Sequence, residues 1–371
     1  MRPRLLGCVL LAFAVLILPT GASGSRQRDH GSIVLLKAAN GRELARITGN
    51  GAVVAAVSDG RGGWFVGGSF TRLGGQRRVA LAHVLASGTI DPSWRASVGS
   101  ASGRPVAVYA LARAGPRLFV AGPFARVGGL HRPGLAAVDA RNGHVIASWL
   151  PRPLLWQDVG VLLVTGPRLL VAGQHTYPTP GISALDVHTG AVDQRWNPHL
   201  LLIGDAGSFN TLLLHRSRVY VAGSFHVSGL HRNGLVALDA RHGQPDRRWQ
   251  PHAPNCSVCR GFAVLYGLAA SRTRLYLSGS FRQIDGVARD GIAALDPRTG
   301  SIIPRWKPAR GGSDILHLAL VGDRLYAGGP SGLFALTADS GSLVHLPTIA
   351  APDQVLTLAP SGSELLVAGR S

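Results

Sequence analysis

The chain is expected to be all-β, folded as a seven-bladed β-propeller. Three observations predict this. A unit of about fifty residues recurs along the sequence, and units of that period build propellers or solenoids. Each unit carries four short apolar runs separated by turn residues, the pattern of buried strands. The last unit is incomplete: residues 355–371 supply its first half, and residues 32–48 supply the second half. Six whole units plus one shared by the two termini make seven blades, the last of which locks the ring.

Two marks align the units. The first is a glycine-rich strand end, FVGGSF to Phe70, FVAGPF to Phe124, YVAGSF to Phe225 and YLSGSF to Phe281, with weaker copies ending at Gly173, Gly329 and Gly369. The second is a turn glycine with tryptophan six residues on: Gly88/Trp94, Gly143/Trp149, Gly190/Trp196, Gly243/Trp249 and Gly300/Trp306. In the second unit the strands are expected at Val108–Ala112, Leu118–Gly122, Gly134–Asp139 and His144–Trp149. Asn40-Gly41 and Asn142-Gly143 are expected to form tight type I′ turns, with both residues at positive φ. Strand-end glycine is expected to admit close backbone approach where blades converge, and the repeated tryptophans to cover the next blade. The segments between second and third strands are long, as are the connections between blades, and both emerge on one face, where function is expected.

Blade one, VSDGRGGWFVGGSFTRLGGQRRVALAHVLASGTIDPSW, resembles the delta-60 β-propeller repeat. The closing Gly-x-x-Asp-x-x-aromatic element recurs as Gly88/Asp91/Trp94, Gly190/Asp193/Trp196 and Gly243/Asp246/Trp249, while Ile146 and Ile303 replace the aspartate in blades two and five. The resemblance covers most of residues 32–371 and implies an architecture; it implies no chemistry.

Residues 1–24 read as a secretory signal. Arg2 and Arg4 precede the apolar run Leu5–Leu18, and Ala22-Ser23-Gly24 offers small residues for cleavage. The run is shorter than the roughly 20 residues of a membrane span, so membrane contact is expected only if the signal stays uncleaved. A linker at 25–31 leads into a single propeller domain at 32–371. Net charge is +19, or +17 without the two leader arginines, and Lys37 and Lys307 are the only lysines. Outside the cell such a charge favours anionic partners (wall polymers, acidic polysaccharides, lipid headgroups or extracellular DNA), so an anionic cell-envelope polymer or a protein partner is expected, and intracellular nucleic acid is not. Cys256 and Cys259 are expected to form a disulfide bracing the loop between blades four and five, since export leads to an oxidising compartment.

Candidate ligand-binding residues come from repetition on the loop face. Arg78, Arg132, Arg232 and Arg289 occupy equivalent positions, and His131 and His231 precede two of them in GLHRPGL and GLHRNGL. Guanidinium groups repeated on one face suit forked hydrogen bonds to carboxylate, phosphate or sulfate. Structural pairing with Asp139, Asp239 and Asp296 is the competing reading, against which blade one keeps Arg78 without a matching aspartate. Those aspartates and Asp186 are expected to tie down the turn after the third strand.

No catalytic set, cofactor site or metal site is expected. Asp186-Val-His-Thr189-Gly190 and Asp296-Pro-Arg-Thr299-Gly300 are similar to a quinoprotein propeller motif, but five residues separate glycine from tryptophan where that motif has three. The chain therefore reads as a secreted or envelope-associated binding or scaffold protein. The alternative is a propeller-type enzyme, a polysaccharide hydrolase or lyase or a quinoprotein-like oxidoreductase, with its site assembled from several blades at the central channel.

Overall fold

The computed structural model describes residues 30–100, 105–151, 157–175, 181–202, 207–227, 233–251, 263–347 and 351–370. The segment expected to be a signal, 1–24, most of the expected linker, Cys256 and Cys259 lie outside these residues.

The described residues form antiparallel sheets with no helix. Each unit contributes an innermost strand, a second strand hydrogen-bonded to it, and a third on the far side of the second. In the first unit these are Val53–Ser58, Trp64–Gly68 and Leu81–Val84. The second unit has Ala110–Ala114, Arg117–Ala121 and Leu135–Asp139. Second strands are buried throughout, as their unbroken apolar runs require, because both faces of each sheet are covered by neighbouring sheets.

Innermost strands touch in succession. Val53–Ser58 contacts Ala110–Ala114, which contacts Gln157–Thr165; the series continues through Ser208–His215, Leu265–Ala270, His317–Val321 and Gln354–Ser361. Gln354–Ser361 in turn contacts Val53–Ser58. The termini share a sheet: Gly31–Lys37 pairs with Glu364–Arg370, Val34 opposite Val367, and Arg42–Gly49 lies on its outer side.

Three expectations need correction. The fourth strand is reduced to one bridge in five units, as at Val138↔Val145 in the second, so His144–Trp149 is not a strand. The chain turns instead at Ile146, whose carbonyl accepts the Trp149 N–H. The Asn-Gly turns are not type I′, because Gly41 and Gly143 have positive φ and their asparagines do not. Asn40 and Asn142 serve through their side chains, each accepting the backbone N–H two residues on. The strand-end glycines make their close approach within a sheet. A Cβ on Gly68, Gly223 or Gly369 would lie 2.0, 2.1 or 1.8 Å from the carbonyl oxygen of Ala52, Ser208 or Gln354, beside the bulge that opens that sheet's own innermost strand.

The repeated tryptophans do reach the next sheet. Trp94, Trp149, Trp196 and Trp306 are buried and donate their indole N–H to the carbonyls of Ala140, Asp186, Ala240 and Ala338. Each ring thus spans two sheets and stitches the last turn of one unit to the third strand of the following one.

Candidate functional site

Loops after the second strand meet the connection arriving from the preceding sheet. In the first unit, Leu73 pairs with Gly49, and the Asn50 side-chain oxygen accepts the N–H groups of Thr71 and Arg72. In the second, Arg126 and Val127 pair with Gly99 and Val98. In the fourth, Phe225, His226 and Val227 pair with Leu202, Leu201 and Leu200. The two loop sets therefore share one face.

On that face the predicted arginines are anchored inward. Arg78, Arg132 and Arg289 are only 6, 7 and 8% exposed. Arg132 donates from Nη1 to the His131 carbonyl at 2.9 Å and from Nη2 to the Ala147 carbonyl at 2.8 Å. Arg289 repeats this with the carbonyls of Ala288, Pro304 and Trp306. Arg78 uses the carbonyls of Arg77 and Asp91 and the Gln76 side chain. Burial pushes all three guanidinium groups below their ordinary pKa, with Arg95 adding repulsion at Arg78. Each arginine clasps its own loop to the turn that leads into the tryptophan. Their Nε atoms are buried without a hydrogen-bond partner among the described residues. His131 is exposed and pairs with Arg126 across the hairpin. Arg232 and His231 lie outside the described residues.

The aspartates are not the partners of these arginines. Asp139 accepts from the Arg141 N–H and guanidinium; Asp186, Asp239 and Asp296 accept backbone N–H groups two or three residues on. They close the turn, as the spacing predicts.

Sequence reading missed a second cluster. His83 Nδ1 lies 2.9 Å from Asp91 Oδ2, and its Nε2 lies 3.1 Å from Asp59 Oδ2. The ring stacks on Phe65, with centroids 4.6 Å apart, and meets Trp94 at a tilt. Burial raises the Asp59 carboxyl, but the N–H groups of Arg61 and Gly63 and the His83 ring more than offset this and hold it below its ordinary value. At Asp91, burial is likewise outweighed by Ser93, His83 and Trp94, and the carboxyl falls to about 2. Both ring nitrogens of His83 thus lie within hydrogen-bond distance of a carboxylate oxygen. A signal existed in the strand itself: His83 is the one polar residue in the apolar run LAHV, eight residues before Asp91. The cluster joins the turn at Asp59 to the turn at Asp91 across the sheet.

Charged groups are left exposed around the loops. Arg72, Arg77, Arg126 and Arg282 flank the clasped arginines and are exposed. Arg72 and Arg126 each spend one N–H on a glycine carbonyl of their own hairpin, at Gly75 and Gly129, which orients the rest of the guanidinium outward.

Comparison with known proteins supports the same architecture. Solved structures that resemble the chain include the extracellular domain of BT4673 from B. thetaiotaomicron, at 13% identity and a TM-score of 0.56, covering 86% of this chain and 38% of that one. The WD40 β-propeller domain of Doa1 matches at 10% identity and a TM-score of 0.51, covering 87% of this chain and 93% of that one. At such identities the likeness is one of fold. No curated protein matches. Residues 58–93, the stretch holding Asp59, His83 and Asp91, match the model of a β-propeller domain of unknown function, DUF5122, and with these structural neighbours they make the fold a β-propeller.

Proposed function

We propose that this chain is a seven-bladed propeller, closed by strands from both termini, that works outside the cytoplasm as a binding or scaffold module for an anionic envelope polymer or an acidic protein partner. The observation that carries this reading is the division of labour among the loop arginines. Arg78, Arg132 and Arg289 are buried and brace the loops, while Arg72, Arg77, Arg126 and Arg282 stand exposed on the same loops. With a net charge of +19, these exposed groups give the loop face a field that attracts anions and steers their approach.

Support for closure comes from the pairing of Gly31–Lys37 with Glu364–Arg370 and from the contact of Gln354–Ser361 with Val53–Ser58. Support for an extracytoplasmic location comes from the leader-like residues 1–24 and from the extracellular neighbour.

Salt-titrated binding of the purified chain to cell-envelope material tests the proposal. Binding is expected to weaken with ionic strength and to drop in a folded Arg72→Ala, Arg77→Ala, Arg126→Ala, Arg282→Ala variant. Salt-independent binding, or full binding by that variant, would remove the anionic partner.

A further inference from the structure

Blade six differs from its neighbours where the loop face is built. Its second and third strands, Arg324–Gly329 and Gly332–Thr337, are joined by the tight turn Pro330-Ser331. In blades one, two and five a hairpin stands there and seats Leu73, Val127 or Ile284 in the core beneath it, each fully buried. Blade six has no such plug. A cavity of about 110 Å³ opens instead, lined by Arg310, Asp314, Ser331, Gly328, Gly329 and the Phe334 ring.

The wall chemistry is ampholytic. The Arg310 guanidinium lies 4.6 Å from the Phe334 ring centre. A guanidinium held over a ring face still has N–H groups available for a forked contact with a carboxylate. Asp314 lines the same cavity, yet it does not pair with Arg310, and neither side chain has a hydrogen bond or ion pair among the described residues. Gly332 borders the open space, where an added Cβ would meet nothing within 4 Å.

We infer that this cavity is a binding site for a small zwitterion, an α-amino acid whose carboxylate meets Arg310 and whose ammonium meets Asp314. A lone anion would satisfy the arginine and face the aspartate unscreened; a lone cation would do the reverse. At about 110 Å³ the cavity has room for more than a single water and so for the ammonium, α-carbon and carboxylate of a small amino acid.

The test is an NMR titration of the purified chain with glycine, with acetate and methylammonium as single-charge controls. Glycine is expected to shift the Gly328, Gly329 and Phe334 resonances saturably, and to bind at least about tenfold more tightly than either control. Arg310→Gln is expected to abolish the glycine response, and Asp314→Asn to weaken glycine while strengthening acetate. Both positions are on the surface of the blade, and an unchanged spectrum elsewhere verifies the fold. Acetate binding as tightly as glycine, or no saturable shift up to about 100 mM glycine, overturns the inference.

Discussion

The hydroxyls of Ser58 and Ser361 lie 2.7 Å apart although 303 residues separate them in the chain. Next to this contact, Trp64 donates its indole N–H to the Ala359 carbonyl. The first sheet is thus tied to the shared one by side chains as well as by packing of Val53, Trp64 and Val66 against Ile33, Leu366 and Ala368. Deleting residues 362–371 removes the strand that pairs with Gly31–Lys37 and leaves two strand edges open. The truncated chain is expected to lose cooperative unfolding and to aggregate, measured by thermal melting with light scattering. A sharp transition at the intact chain's temperature would contradict a closed ring.

Clasping arginines make a second expectation. Arg132→Ala leaves the carbonyls of His131 and Ala147 without their donors in a buried setting, at a cost of about 2–4 kcal/mol. Arg126→Ala, six residues away on the exposed hairpin, is expected to stay within about 0.5 kcal/mol. Denaturant midpoints of the two variants measure the contrast directly. Equal midpoints would return Arg132 to the set of ligand contacts.

How far the sequence carries can be judged from these residues. The spacing of Gly143 and Trp149 reveals the unit because a positive-φ turn and a large buried ring are both hard to replace. The pairing of the two termini was legible because one unit is split between residues 32–48 and 355–371. The fate of His144–Trp149 was not, since one bridge and a full strand share the same apolar pattern, and the choice between them is made by hydrogen bonds to the neighbouring sheet. Nor was the burial of Arg132 legible. A charged loop residue looks exposed in sequence, and only the folded turn brings the Ala147 carbonyl to it. His83 gains its meaning from Asp59 and Asp91, which no linear motif unites.

Acid sensitivity follows from the His83 cluster. Asp91 titrates at about 2 in the folded chain against an ordinary 3.8. Its pKa is depressed, so its contribution is complete above the ordinary value and is lost as pH falls from 3.8 toward about 2. With the carboxylate largely buried, the gap is worth about 2 kcal/mol. Asp91→Asn is expected to lower stability by about that amount at neutral pH and to flatten the acid limb of the stability curve. Urea unfolding across pH 2–6 reads both. An acid limb as steep in the variant as in the parent would place the acid-sensitive group elsewhere.

Glycine at the bulge supplies the sharpest steric expectation. At Gly223 an added Cβ would lie 2.1 Å from the Ser208 carbonyl oxygen and 3.0 Å from the Phe209 α-carbon, both of them backbone atoms that cannot rotate away. Gly223→Ala must therefore push the second strand off the first, disturbing the Phe209 and Phe225 stack beside it. The expected cost is about 3 kcal/mol, at the upper end of the range for overpacked cores. Gly160 is the control. It occupies the bulge of its own innermost strand, has no positive φ, and an added Cβ would meet nothing within 4 Å. Gly160→Ala is expected to be neutral or to stabilise by about 0.5 kcal/mol through the unfolded chain. Melting temperatures of the pair decide the matter: a tolerated Gly223→Ala would mean that the strand and its bulge can move apart, and that the repeated glycine answers to something other than this carbonyl.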